Sequence, residues 1–129
     1  HELKIAFIDI DMFKYFNDKF GHAAGDTVIR EVAAILQQTC RTIDLVGRYG
    51  GEEFLIILPG VNRDDAALVG QRLVDAVRQY RFLGIHPVTI SAGLTTLPKT
   101  EICSWDQLVR RADAALYEAK GLGRDRYAA

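Results

Sequence analysis

The chain has 129 residues, 49% of them hydrophobic and 26% charged, with a formal net charge of -1. That is the size and balance of one soluble globular domain. It excludes a global field that would draw the chain to nucleic acid or a membrane surface.

No apolar run approaches the roughly 20 residues of a membrane span. Cys40 and Cys103 are the only cysteines, which suits reduced thiols in a cytosolic protein better than a disulfide scaffold. The chain opens at His1 almost directly on a strand. With neither a start methionine nor a signal peptide, residues 1–129 read as one domain excised from a longer protein.

The first predicted element is a strand from Lys4 to Asp11, KIAFIDID. It is apolar on both faces, as in a central strand covered from both sides. Residues 5, 7, 9 and 11 share a face; Ile5 and Phe7 make it apolar, then Asp9 and Asp11 end it. A short helix is expected from Met12 to about Phe20, with Asp11 as its cap. Gly21 and Gly25 break the chain, and a second helix runs from about Asp26 to Thr39 on a stripe of Val28, Val32, Ile35 and Leu36. Strands Leu45 to Tyr49 and Glu52 to Leu58 flank Gly50-Gly51. That reads as a two-residue hairpin in which glycine takes positive φ. A third helix spans about Arg63 to Tyr80, and another strand runs from Val88 to Leu94. Ser104 and Gln107 make a capping box for a fourth helix, which carries Leu108, Ala112, Ala115, Leu116 and Ala119 and stops at Gly121. The order β-α-α-β-β-α-β-α predicts an α/β (α+β) domain. Its mixed central β-sheet would be flanked by helices, close to the ferredoxin-like plan.

Asp9 lies at the carboxyl end of its strand, where ligands gather in open α/β sheets. Strand alternation sends Glu52 and Glu53 to opposite sides. One can join Asp9 around a hard divalent cation such as Mg²⁺, which takes oxygen ligands and leaves positions for phosphate. The other points to the rim, toward a second ion or a nucleophile. The N–H groups of Met12 and Phe13 are free at the first turn of the next helix, an anion site. Lys14 follows them, and Lys120 and Arg124 add cations at the glycine-rich end of the last helix. Carboxylates, metal, amides and cations together make a triphosphate site. Asn17 and Asp26 are polar residues suited to guanine: a carboxylate accepts from its N1–H and N2–H₂ edge, and an amide serves either edge. Bland readings stand beside these. GGEE alone suits an exposed turn, Asp26 a helix cap, and Lys120 with Arg124 a surface complement to the helix dipole.

Together these residues resemble the GGDEF family of diguanylate cyclases. The resemblance rests on Asp9-Ile10-Asp11, Phe13-Lys14, Asn17-Asp18, Gly21-His22, Gly25-Asp26 and Arg48-Tyr49-Gly50-Gly51-Glu52-Glu53-Phe54. It continues through Ala112-Asp113, Ala115-Leu116-Tyr117, Ala119-Lys120 and Gly123-Arg124, so nearly the whole chain is covered. It implies a nucleotidyl cyclase palm-type fold in which two GTP become cyclic di-3′,5′-guanylate and two pyrophosphates. Each domain would hold one GTP, so two copies must meet as a homodimer, with no role for nucleic acid or direct membrane contact. Asp9, the Ile10 carbonyl and Glu52 would hold Mg²⁺ or Mn²⁺. Glu53 would lie near the attacking 3′-hydroxyl, as a second-metal ligand or a base. Asn17 and Asp26 would read guanine; Lys14, Lys120, Arg124 and the Met12 and Phe13 amides would hold the β- and γ-phosphates.

Arg41-Thr42-Ile43-Asp44 resembles the family's R-x-x-D inhibitory site for the cyclic di-GMP product, with Arg72 as a third member. On pattern alone, the same four residues suit a helix exit with two solvated charges. The family signature stands here as GGEEF, and Asp125 replaces a usual asparagine. The family's D-x-L-T-x-L-x-N-R lead-in is absent from the chain. The expected setting is a cytoplasmic catalytic domain behind an N-terminal sensory or regulatory domain. The competing reading is a non-catalytic receptor for GTP or cyclic di-GMP, a class marked by degenerate signatures; a cyclase with relaxed base choice is disfavoured by Asp26.

Overall fold

The computed structural model describes residues 3–97 and 102–129. The elements are β1 (Leu3–Ile10), α1 (Phe13–Phe20), α2 (His22–Thr39), β2 (Leu45–Arg48), β3 (Glu53–Pro59), α3 (Arg63–Gln79), β4 (Arg81–Phe82), β5 (His86–Pro87), β6 (Ile90–Leu97), α4 (Trp105–Gly121) and β7 (Arg126–Ala128). Five strands form one sheet in the order β2-β3-β1-β6-β7. The expected mixed sheet is mostly antiparallel; β6 with β7 is its parallel pair.

β1 is the central strand, and its alternation divides the core. Ala6, Ile8 and Ile10 face one layer, with Val28, Val32 and Leu36 of α2 and Leu73, Val74 and Val77 of α3. Ile5 and Phe7 face the other, with Leu108, Val109, Ala112 and Leu116 of α4. Period two in the strand and 3.6 in the helices meet in two apolar layers. Asp9 continues the α4 face.

Four sequence expectations are corrected. Asp11 does not cap α1: Met12 is the N-cap, at φ 56°, and no side chain caps the helix. α2 begins at His22, four residues before Asp26, and Gly25 lies inside it. A Cβ on Gly25 would overlap Asn17 Oδ1 and reach Phe13 Cζ at 3.0 Å, so this glycine permits α1 to pack on α2 rather than breaking the chain. The β2–β3 turn is longer than two residues. Tyr49 N–H donates to the Glu53 carbonyl at 2.8 Å, leaving Gly50, Gly51 and Glu52 in the loop. Neither glycine takes positive φ there; a Cβ on Gly50 would overlap Glu53 Oε1, the movable end of that side chain. Finally, β4, β5 and β7 have only two or three residues each; such lengths show no periodicity.

The capping box of α4 forms as expected. Gln107 N–H donates to Ser104 Oγ at 3.2 Å, and Ser104 N–H to Gln107 Oε1 at 3.0 Å. Gly93 of β6 sets the height of α4 above the sheet, since a Cβ there would overlap Leu116 N and Ala112 O. Backbone atoms of a packed helix cannot yield locally. Gly93→Ala is therefore expected to lower the unfolding free energy by about 3 kcal/mol or more, measured by urea denaturation.

Candidate active site

The β1–β3 register places Asp9 directly opposite Glu53. Opposite residues of an antiparallel pair project from the same face, so both carboxylates share the α4 side at one end of the sheet. Glu52 sits in the turn, where its carbonyl accepts from Ile10 N–H at 3.2 Å and ties the loop to the end of β1. Burial pushes the Glu53 carboxyl above its ordinary range; the charges of Asp9, Glu52 and Asp113 add to this, and Lys120 opposes it. The register thus brings Glu53 to Asp9, with the Glu52 charge close by.

Lys120, at the end of α4, donates to Asp9 Oδ2. The other oxygen, Oδ1, is buried without a hydrogen-bond partner. Among the described residues, no three His, Cys, Asp or Glu side chains gather closely enough to hold a metal alone. The oxygen donors nonetheless fit a hard cation that completes its shell with carbonyl, phosphate and water: an orphaned carboxylate oxygen on Asp9, the Ile10 backbone and two glutamates.

Asp11, next but one to Asp9, is consumed structurally. Its Oδ1 accepts from Ser91 Oγ at 2.6 Å, and its Oδ2 from Thr89 Oγ1 at 2.7 Å and Asp125 N–H at 3.0 Å. This anchors the loop after α4 that carries Arg124. A second anchor was not visible in the sequence: Arg78 of α3 donates to Asp125 Oδ2 at 2.8 Å. Arg124 and Asp125 both take left-handed backbone, at φ 63° and 52°, a conformation costly for non-glycine residues. Asp125 thus has a specific partner where the family pattern has asparagine.

Asn17 is held by its neighbour, its Nδ2 donating to His22 Nδ1 at 2.7 Å. It lies against Gly25, so Asp26, exposed one residue on, shares its neighbourhood. Met12 and Lys14 are exposed at the start of α1, with Phe13 half-buried between them. An apolar cleft of about 440 Å³ on another flank of α1 touches Met12 and Phe13 but neither Asn17, Asp26 nor either glutamate.

Across the molecule, Arg41, Asp44 and Arg72 line one cavity of about 200 Å³. Arg41 forks onto Asp44 through Nη2 at 2.7 Å and Nε at 3.1 Å, and its Nη2 also donates to the Pro59 carbonyl at 2.8 Å. The Asp44 carboxylate is fully buried. Cys40 lines the same cavity. Its thiol is pushed up to about 11 by burial and the Asp44 charge, against Arg41.

The model of the family described as "Diguanylate cyclase, GGDEF domain" matches residues 1–126. The chain belongs to the GGDEF family. Diguanylate cyclase A of Treponema denticola is 43% identical over 128 residues, covering 96% of this chain and 34% of that protein. The chain thus spans about a third of that relative's length. The active GGEEF domain of a Vibrio cholerae diguanylate cyclase superposes with a TM-score of 0.89 at 33% identity, covering 99% of this chain and 82% of that one. The GGDEF domain of DgcB from Caulobacter crescentus, solved in complex with c-di-GMP, also gives 0.89, at 34% identity, covering 98% and 77%. Among the described residues of this GGDEF domain, no helix is long and apolar enough to cross a membrane.

The raised Glu53 carboxyl has a sign for stability. The unfolded chain releases this proton first, so each pH step between the ordinary and raised values destabilises the fold. Above that window the cost is constant. Glu53→Gln should therefore melt slightly higher than wild type at neutral pH. The difference should vanish below about pH 4, read by thermal denaturation across pH.

Proposed function

We propose that the chain is the catalytic domain of a diguanylate cyclase, condensing two GTP into cyclic di-3′,5′-guanylate with release of two pyrophosphates. The observation that carries this reading is the Asp9–Glu53 pair at one end of the sheet, beside Glu52 and the lysine-bearing end of α4. Family membership and the names of its relatives support it, and the Vibrio cholerae domain described as active carries the same GGEEF form.

Asp9, the Ile10 carbonyl and Glu52 hold Mg²⁺ or Mn²⁺, which when bound neutralises phosphate charge and polarises the reacting phosphoryl group. Lys14, Lys120, Arg124 and the Met12 and Phe13 amides hold the β- and γ-phosphates. Asn17 and Asp26 read guanine, and the Asp26 carboxylate repels the N1 lone pair of adenine. The 3′-oxygen of one nucleotide bonds to the α-phosphorus of the other, and the bond from that phosphorus to pyrophosphate breaks. Glu53 stands nearest the hydroxyl that loses its proton. One GTP per domain requires two copies face to face. The domain works in the cytoplasm, within a longer protein whose N-terminal sensory or regulatory part brings the copies together. The Arg41–Asp44–Arg72 cavity serves as a product-inhibition site: Arg41 turns from Asp44 to phosphate or the guanine Hoogsteen edge, the Asp44 carboxylate so uncovered accepts from guanine N1–H and N2–H₂, and exposed Arg72 completes the site.

With GTP and Mg²⁺, dimerised protein should yield cyclic di-GMP, and Asp9→Asn should lower turnover about 10²-fold or more. GTP binding without product would sink the cyclase reading in favour of the receptor. Arg72→Ala should let product accumulate further at an unchanged initial velocity; an identical inhibition curve would remove Arg72 from the site. Arg41→Ala is a poorer test, because it strips a buried carboxylate of its partner at a cost of about 1–3 kcal/mol.

A further inference from the structure

Lys120 does not stand free to await a phosphate; its ammonium is on Asp9. The Asp9 side chain is 13% exposed and that of Lys120 32%, so the contact is partly withdrawn from water. The charges of Asp9, Glu52 and Asp113 all act on Glu53, and Lys120 is the cation that opposes them. The ammonium is a compact point charge with three donors, suited to the electrostatic position a small cation would take. α4 is locked at a fixed height by Gly93 beneath Leu116 and Ala112. Lys120 lies one turn beyond Leu116, so the register of the helix delivers its ammonium to the acid cluster.

We propose that Lys120 is a resident cation that competes with the divalent metal for Asp9 until a nucleotide phosphate draws it away. The inference rests on the reading of Asp9 as a metal ligand and adds a rule of order to it. A metal at Asp9 Oδ2 must displace the ammonium. A metal at the unpartnered Oδ1 must sit beside it and be repelled. A triphosphate offers Lys120 another anion and releases the carboxylate. Metal and nucleotide binding are then mutually reinforcing through a protein group, and the coupling is reciprocal. Free metal at ordinary concentration leaves the site largely to the lysine.

The test is Mn²⁺ binding to nucleotide-free protein, followed by the electron paramagnetic resonance of free Mn²⁺. Lys120→Met keeps an unbranched, flexible stem one atom shorter and removes the charge; it should bind Mn²⁺ about tenfold tighter than wild type or better. Lys120→Arg keeps the charge and should bind as weakly as wild type, which separates charge from packing. Asp9→Asn should bind most weakly of all. Equal or weaker binding in Lys120→Met overturns the competition while leaving the metal assignment standing. Undiminished binding in Asp9→Asn, or no binding in any variant, overturns the assignment of Asp9 itself. Thermal melts of each variant confirm that folded protein is compared.

Discussion

The site depends on one buried carboxylate that does no chemistry. Asp11 receives three donors, from Thr89, Ser91 and the Asp125 backbone. Two belong to the segment entering β6 and one to the loop after α4. A single side chain therefore ties the end of β1 to two segments far away in sequence. Hydrogen bonds to an ionised acceptor are stronger than neutral ones, and a buried carboxylate demands them. Asp9 gains its fixed position from this, since it lies two residues before the knot.

Around that knot the protein gathers acids that repel one another. Asp9 and Glu53 are cross-strand neighbours, and like charges directly opposite each other are destabilising. Burial first, and this repulsion after it, raise the Glu53 carboxyl. Lys120, seated on Asp9, offsets part of that repulsion.

Much of this was legible in the sequence. The two-faced burial of β1, the stripe of α2 and the capping box of α4 follow from periodicity and local chemistry, and the motif spacing named the family. What escaped has a common cause. Asp11 looked like a cap because capping is local, yet its partners lie 78 to 114 positions away. Gly25 looked like a breaker because its helix-packing role depends on Asn17 and Phe13 of another helix. The pairing of Glu53 with Asp9 is a matter of register, which a loop one residue longer than expected decides. Asp125 replaces a usual asparagine, and its partner Arg78 lies 47 positions away.

The Cys40 thiol, raised to about 11, gives the cavity of Arg41 and Asp44 a chemical character of its own. At neutral pH only about one molecule in 10⁴ carries the thiolate there, and the thiolate is the form that peroxide and alkylating reagents attack. The same burial and negative charge that shape the cavity favour the neutral thiol. What enters the cavity is met by charge and shape, with a neutral thiol beside them.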